Sequence, residues 1–465
     1  MYKKIALIVL CAFACFAFTL GDTFMGGRLK ISPNKRYFTT ADGKPFFWLG
    51  DTGWLLFSKL NREDAEKYLE DRRIKDFNVI QVMVLHTLKV VDAYGDSALI
   101  NQNVATPRVT AGNTFGNKNE YDYWDHVDYI VDLAASKGIY IAMVPVWGSN
   151  VKMKGGVNQK DAKLYASFLA KRYKNRPNII WMNGGDVPGS DSIKVWKTIG
   201  NTLHLFDPEH IATYHPRGRT QSSKWFHNES WLSFNCFQSG HRDYGQDTSK
   251  VDLNYGEDNW KYVKADYYKL PTKPTLDAEP SYEGIPHGLH DTTLAKWTAA
   301  DVRRYAYWSV FAGGCGYTYG DNSVMQMFKP GEKGGSYGAK MPWFDAIHDP
   351  GSSQMQYIKK LMLSRSYFDR VPDQSIIVAA KQGKKYNYLI ATRGAGYAFV
   401  YTYNGRNVDV NFGKITGAKV KASWYDPRTG ETKVIGTYAN AGTRSFKPSG
   451  AVKDGNDWVL ILDKA

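Results

Sequence analysis

The sequence predicts an α/β protein: a (β/α)8 TIM barrel followed by a small C-terminal antiparallel β-sandwich. Eight short apolar runs between Phe46 and Tyr319 alternate with amphipathic stretches. That rhythm marks βαβ units around a parallel sheet buried on both faces. Polar and aromatic residues recur directly after each run, as they do at the C-terminal face of such a barrel. Beyond residue 370 the period changes to strict alternation punctuated by turn residues, which reads as a sandwich.

The elements follow in order. Residues 28–47 read as a β-hairpin region with turns at Asn34 and Asp42-Gly43. The first apolar run, 46–50, ends in Asp51. Residues 61–75 are amphipathic, with Asn61 as N-cap before Glu63 and Asp64. Strands are expected at 79–85, 139–146, 179–182, 211–214, 232–237, 275–278 and 316–319, and helices at 124–135, 159–173, 192–206, 259–268, 294–311 and 352–365. A doubly wound open sheet is the alternative. Its first turn would carry a Gly-rich phosphate loop, and Gly50-Asp51-Thr52-Gly53 lacks that spacing. Period-2 runs at 388–391, 398–403, 408–412, 420–425 and 458–462 make the sandwich, with turns at Asn404-Gly405 and Thr429-Gly430. The expected division is a signal segment at 1–21, a barrel at 22–370 and a sandwich at 371–465.

Composition narrows the function. With 43% hydrophobic and 23% charged residues in 465, the chain is globular. Its net charge of +15 is scattered, without a Lys/Arg run or zinc-finger spacing. No nucleic-acid partner is therefore expected; a solvated surface or an acidic polysaccharide suits such a charge. Aromatics make up 14%, enough to supply sugar-stacking faces besides the core. Lys3 and Lys4 precede an uncharged apolar run at 5–20. This is the layout of a secretory signal, too short for a stable span, with cleavage expected between Ala17 and Asp22. A secreted or periplasmic location follows. Ala12-Phe13-Ala14-Cys15 is a poor lipoprotein match, so an outer-surface lipoprotein is the weaker alternative. Only Cys236 and Cys315 remain in the mature chain, and both are expected as buried thiols. No His pair has H-x-x-x-H spacing and no G-x-S-x-G is present. No metal, cofactor or stable protein partner is expected.

The strand ends carry the candidate chemistry. In order they offer Asp51 and Trp54; His86; Trp147 and Ser149; Asn183-Gly184-Gly185-Asp186; His215 and Arg217; Gln238 and His241; Glu279, Tyr282 and Glu283; and Asp321 with Asn322. Glycoside hydrolysis needs two carboxyl groups across the scissile bond, one to protonate the leaving oxygen and one to attack or direct water. Asp186 after the fourth strand and a Glu after the seventh would face each other across the barrel mouth. Strand geometry favours Glu279, which lies nearer the end of its run.

These motifs resemble a known family. Lys44-Pro45-Phe46-Phe47-Trp48-Leu49-Gly50-Asp51-Thr52-Gly53-Trp54, Trp181-Met182-Asn183-Gly184-Gly185-Asp186 and Pro274-Thr275-Leu276-Asp277-Ala278-Glu279-Pro280-Ser281-Tyr282-Glu283 are similar to segments of the apiosidase-like glycoside hydrolases, family 140. Tyr425-Asp426-Pro427-Arg428-Thr429-Gly430 resembles the collagen-binding-type domain that often follows them. The resemblance implies an exo-acting enzyme that releases apiose from side chains of rhamnogalacturonan-II, a plant cell-wall polysaccharide, in gut Bacteroidetes. It points to Asp186 as acid/base and, by the family pattern, to Glu283 as its partner. Asp51, His86, Asn183, His215, Gln238 and Asp321 would hold sugar hydroxyls, and Trp54, Trp147 and Tyr282 would stack on the ring. One departure stands out: related barrels carry Asn-Glu after strand four, where this chain has Gly-Asp. Two other readings remain at this stage. One is a hydrolase of another plant glycoside, such as an arabinofuranoside. The other is a non-catalytic glycan-binding or adhesion protein, which would not need two opposed acids.

Overall fold

A computed structural model describes residues 24, 26–247, 255–332 and 335–465. The expected signal segment, with Cys11 and Cys15, lies outside the described residues. The barrel strands are β1 (Trp48–Thr52), β2 (Val79–Leu85), β3 (Tyr140–Val146), β4 (Ile179–Val187), β5 (Ala212–Pro216), β6 (Asn235–Gln238), β7 (Thr275–Asp277) and β8 (Gly316–Tyr319). Their order in the sheet is β5-β4-β3-β2-β1-β8-β7-β6, and every neighbouring pair is parallel. The seam between β5 and β6 is closed by single bonds instead of a ladder: the Ser233 N–H donates to the Ala212 carbonyl (2.8 Å) and the Thr213 hydroxyl to the Phe234 carbonyl (2.7 Å).

Helices Arg62–Ile74, Tyr123–Ser136, Gln159–Tyr173, Ile193–Phe206, Asn259–Tyr267, Ala299–Phe311 and Pro350–Leu363 surround the strands. Asn61 caps the first as expected, accepting from the Asp64 N–H at 2.8 Å. The segment at 294–311 is helical only from Ala299, where a capping box of Thr298 and Asp301 begins it. Antiparallel strands Lys30–Ile31, Phe38–Thr39 and Pro45–Phe46 form the N-terminal hairpin region. Phe38 from this region packs on Trp48 and Phe234, closing the N-terminal end of the barrel.

The C-terminal sandwich has a six-stranded sheet facing a two-stranded one, Val408–Asn411 with Thr443–Phe446. Its alternation divides residues between two cores, as the period of a strand requires. Phe399, Tyr401, Val459 and Ile461 join the barrel's core, while Ala398, Val400, Leu460 and Leu462 fill the sandwich's own. Helix Ala299–Phe311 is the joint. Tyr307 stacks on Tyr401 (centroids 4.7 Å apart), and Arg303 forms a buried two-pronged ion pair with Asp457 (2.9 and 2.7 Å). Removing one partner of such a pair strands a buried charge. Asp457→Ala is therefore expected to cost about 3–5 kcal/mol, read as a lower urea midpoint; an unchanged midpoint would contradict a joint of this kind. Cys236 and Cys315 are buried free thiols.

Candidate active site

The C-terminal ends of the strands surround a cavity of about 510 Å³. Asp186 reaches it through a distortion of β4. Pairing with β5 runs in register to Gly184↔His215 and resumes at Val187↔Pro216, so β4 bulges at Gly185 and Asp186. Residues 184, 185 and 186 all have positive φ (91°, 119° and 52°). A Cβ at position 184 would lie 2.6 Å from the His215 carbonyl oxygen, and one at 185 would lie 2.5 Å from the Trp147 ring. Only glycine fits these two positions, and an Asp tolerates the third. Bulges beside active sites re-aim side chains; this one turns Asp186 into the cavity, where the residue is exposed.

Glu279 lies two residues beyond β7 and is buried at 7% exposure. Its backbone is fixed by the Gly240 N–H, which donates to its carbonyl at 3.0 Å. Two imidazoles flank its carboxylate: His241 Nε2 is hydrogen-bonded to Oε1 at 3.0 Å, and His215 Nε2 lies 3.1 Å from Oε2 at ion-pair distance, outside hydrogen-bond geometry. His215 is packed against Trp54 and Trp147, and His241 meets the edge of Tyr282.

The environments drive the two acids apart. The cavity walls withdraw its carboxyl from bulk water even though the residue faces the opening, and this desolvation, then the negative charge of Glu279, push Asp186 up to about 6. Burial also disfavours ionised Glu279, but His215 and His241 outweigh it and hold that carboxyl down to about 2. Between these values one acid carries a proton and the other a charge, the arrangement that acid/base chemistry requires.

The cavity brings together Trp54, His86, Trp147, Asp186, Gln238, Glu279 and Tyr282 from the residues marked at the strand ends, with His215 directly behind Glu279. It does not bring in four others. Asp51 is fully buried beneath, paired with Arg72 and Tyr68 (2.6 Å each). Asn183 donates to the Trp196 carbonyl at 2.8 Å and accepts from the Gly184 N–H at 3.0 Å. Asp321 caps the short helix Asn322–Met325. These positions correct the expectation that Asp51, Asn183 and Asp321 hold sugar hydroxyls, because their polar atoms serve the fold beneath the cavity. Glu283 points away too: its Oε2 accepts from the Tyr319 hydroxyl (2.7 Å) and from the Gly351 N–H (2.9 Å) at the start of helix Pro350–Leu363. Burial pushes it up to about 7.

Of the further lining residues, Gln326, Tyr337 and Arg242 had no signal in the sequence pattern, whereas Arg217 stood at a strand end. Gln326 and Tyr337 come from the long loop after β8, which has no periodicity. Arg217 and Arg242 line the cavity, are exposed, and have no acidic partner among the described residues. No group of three or more His, Cys, Asp and Glu side chains among the described residues is arranged to hold a metal ion.

Comparison with known proteins decides the family. The family described as "Apiosidase-like, catalytic domain" matches residues 32–369. The chain belongs to the apiosidase-like family. Residues 371–463 match a second family, described as the proposed collagen-binding domain of a collagenase. A solved structure named simply glycoside hydrolase is 47% identical, with a TM-score of 0.88, over 95% of this chain and 98% of that one. A glycoside hydrolase family 5 structure from Bacteroides vulgatus ATCC 8482 is 45% identical, with a TM-score of 0.88, over 95% and 94% of the two chains. A search of the curated proteins finds no match. This apiosidase-like protein is a glycoside hydrolase, on a TIM-like barrel with an appended β-sandwich.

Proposed function

We propose that the protein is an exo-acting glycosidase that releases apiose from rhamnogalacturonan-II side chains, with Asp186 as general acid and Glu279 as its partner carboxylate. The observation that carries the reading is geometric: Asp186 and Glu279 line one cavity from β4 and from the end of β7, with His241 and His215 at 3.0 and 3.1 Å from the Glu279 carboxylate, and these surroundings shift the two acids in opposite directions. Protonated Asp186 gives its proton to the glycosidic oxygen as that oxygen takes the electron pair of the breaking C–O bond. Ionised Glu279 attacks the anomeric carbon or directs water to it. His215 and His241 keep Glu279 charged and oriented. Trp54 and Trp147 offer faces for the sugar ring, and Gln238 and His86 offer hydrogen bonds. The apiose assignment is supported by the family description. Export, with a plant polysaccharide as the external substrate, is supported by the apolar run at 5–20.

Sugar analysis of rhamnogalacturonan-II fragments tests the reading. Apiose release supports it, and release of arabinose alone would move the assignment to an arabinofuranosidase. Arg217 and Arg242, exposed at the cavity and with no acidic side chain within ion-pair distance among the described residues, favour an acidic substrate. Arg217→Ala and Arg242→Ala are expected to raise KM for a charged pectic oligosaccharide severalfold at low salt, with the difference shrinking as salt screens the charges. KM values for the variants that match wild type at every salt concentration would contradict that attraction.

A further inference from the structure

Residues 239–247, which follow β6, carry His241 to Glu279, and the C-terminal sandwich grips this part of the loop from behind. Glu257 is the junction. Its carboxylate is fully buried and accepts from three parts of the chain: the Tyr244 N–H on the loop (2.7 Å), the Arg304 guanidinium on helix Ala299–Phe311 (2.6 Å), and the Tyr386 hydroxyl of the sandwich (2.9 and 3.1 Å). Contacts around it reinforce the grip. The Tyr386 ring meets Tyr244 edge-on with centroids 5.5 Å apart, and Lys385 Nζ stands 4.9 Å from the Tyr244 ring. The Arg304 guanidinium packs over Tyr386 and Tyr403. Tyr244 lies three residues along the loop from His241, whose carbonyl accepts from the Gly288 N–H at 2.7 Å.

A buried carboxylate must have its lone pairs satisfied, and losing one donor weakens the whole network. Here the donors belong to the active-site loop, the barrel helix and the second domain, so one charge ties all three together. We propose that the sandwich is a working part of the active site: through Tyr386 and Glu257 it fixes the loop that presents His241 to Glu279. Tyr386 is thus a positioning residue for the glycosidase reaction. The catalytic half of this inference rests on Glu279 being the partner carboxylate, whereas the tie itself does not.

The test is Tyr386→Phe in the full chain, which keeps the ring and removes the hydroxyl. Hydrogen exchange of residues 239–247 is expected to run about fivefold faster than in wild type, with the core strands unchanged, because local opening follows local bonding. The acid limb of kcat/KM is expected to move to higher pH as His241 holds Glu279 less well, with KM little altered. Tyr403→Phe, which loses a bond only to Asp301 (2.9 Å), should leave the loop's exchange as it is. Should Tyr386→Phe fold poorly, Lys385→Ala, which removes an exposed sandwich side chain 4.9 Å from the Tyr244 ring, should give the same loop-specific signature in weaker form. Unaltered exchange in the loop would overturn the tie, and faster exchange with an unmoved acid limb would overturn its catalytic role. A wild type that cleaves no glycoside would sink the proposed function, while the exchange comparison would still decide whether the tie exists.

Discussion

Asp186→Asn is expected to lower kcat about 10²–10⁴-fold, the usual contribution of a positioned general acid. The pH profile should change with it. Asp186 is raised to about 6, so the fraction able to donate falls as pH rises through that value. Wild-type kcat/KM should therefore decline on the alkaline side from near pH 6, and the residual activity of the Asn variant should lack that limb. The loss should be smaller for substrates whose leaving group departs without a proton, since these do not need the acid. Equal losses for good and poor leaving groups would remove Asp186 from that role.

Exchanging the two glutamates should give opposite results. Glu279→Gln replaces the charge between His215 and His241 with a neutral amide, and kcat is expected to fall at least about 10³-fold. Glu283→Gln should leave turnover close to wild type, because the amide oxygen can still accept from Tyr319 and from the Gly351 N–H. What should change is stability against pH. Burial raises Glu283 from 4.5 to about 7, so between those values the folded state holds a proton that the unfolded state releases. That contribution to stability is lost as pH rises through the window, and the Gln variant should lack it. A Glu283→Gln enzyme as inactive as Glu279→Gln would return the partner role to Glu283.

The barrel was legible because its strands are largely apolar and its helices begin at readable caps such as Asn61. Strands Val79–Leu85 and Gly316–Tyr319 and helix Gln159–Tyr173 fall where the period places them. In the sandwich, Thr432–Ala439 carries no sequence signal because both of its faces are largely exposed and its apolar Val434 and Ile435 are adjacent, which leaves no alternation to detect. The site was legible as a set of positions but not of directions. Asp51, Glu283 and Asp321 occupy strand ends as Asp186 and Glu279 do, yet they turn to an arginine, to the start of a helix and to a cap. For Asp51 and Glu283 spacing alone does not reveal the direction, because their partners come from elsewhere in the chain, whereas Asp321 turns to the Ser323 and Val324 N–H groups beside it. The Gly-Asp in place of Asn-Glu after strand four has a local explanation in the β4 bulge, which needs both glycines before the acid.

The most direct test of the central claim measures sugar release from pectic oligosaccharides by wild type, Asp186→Asn and Glu279→Gln, with substrate affinity measured by calorimetry for all three. The account predicts release by wild type alone and binding by all. Release that persists in Glu279→Gln, or binding by wild type without release of any sugar, would contradict it.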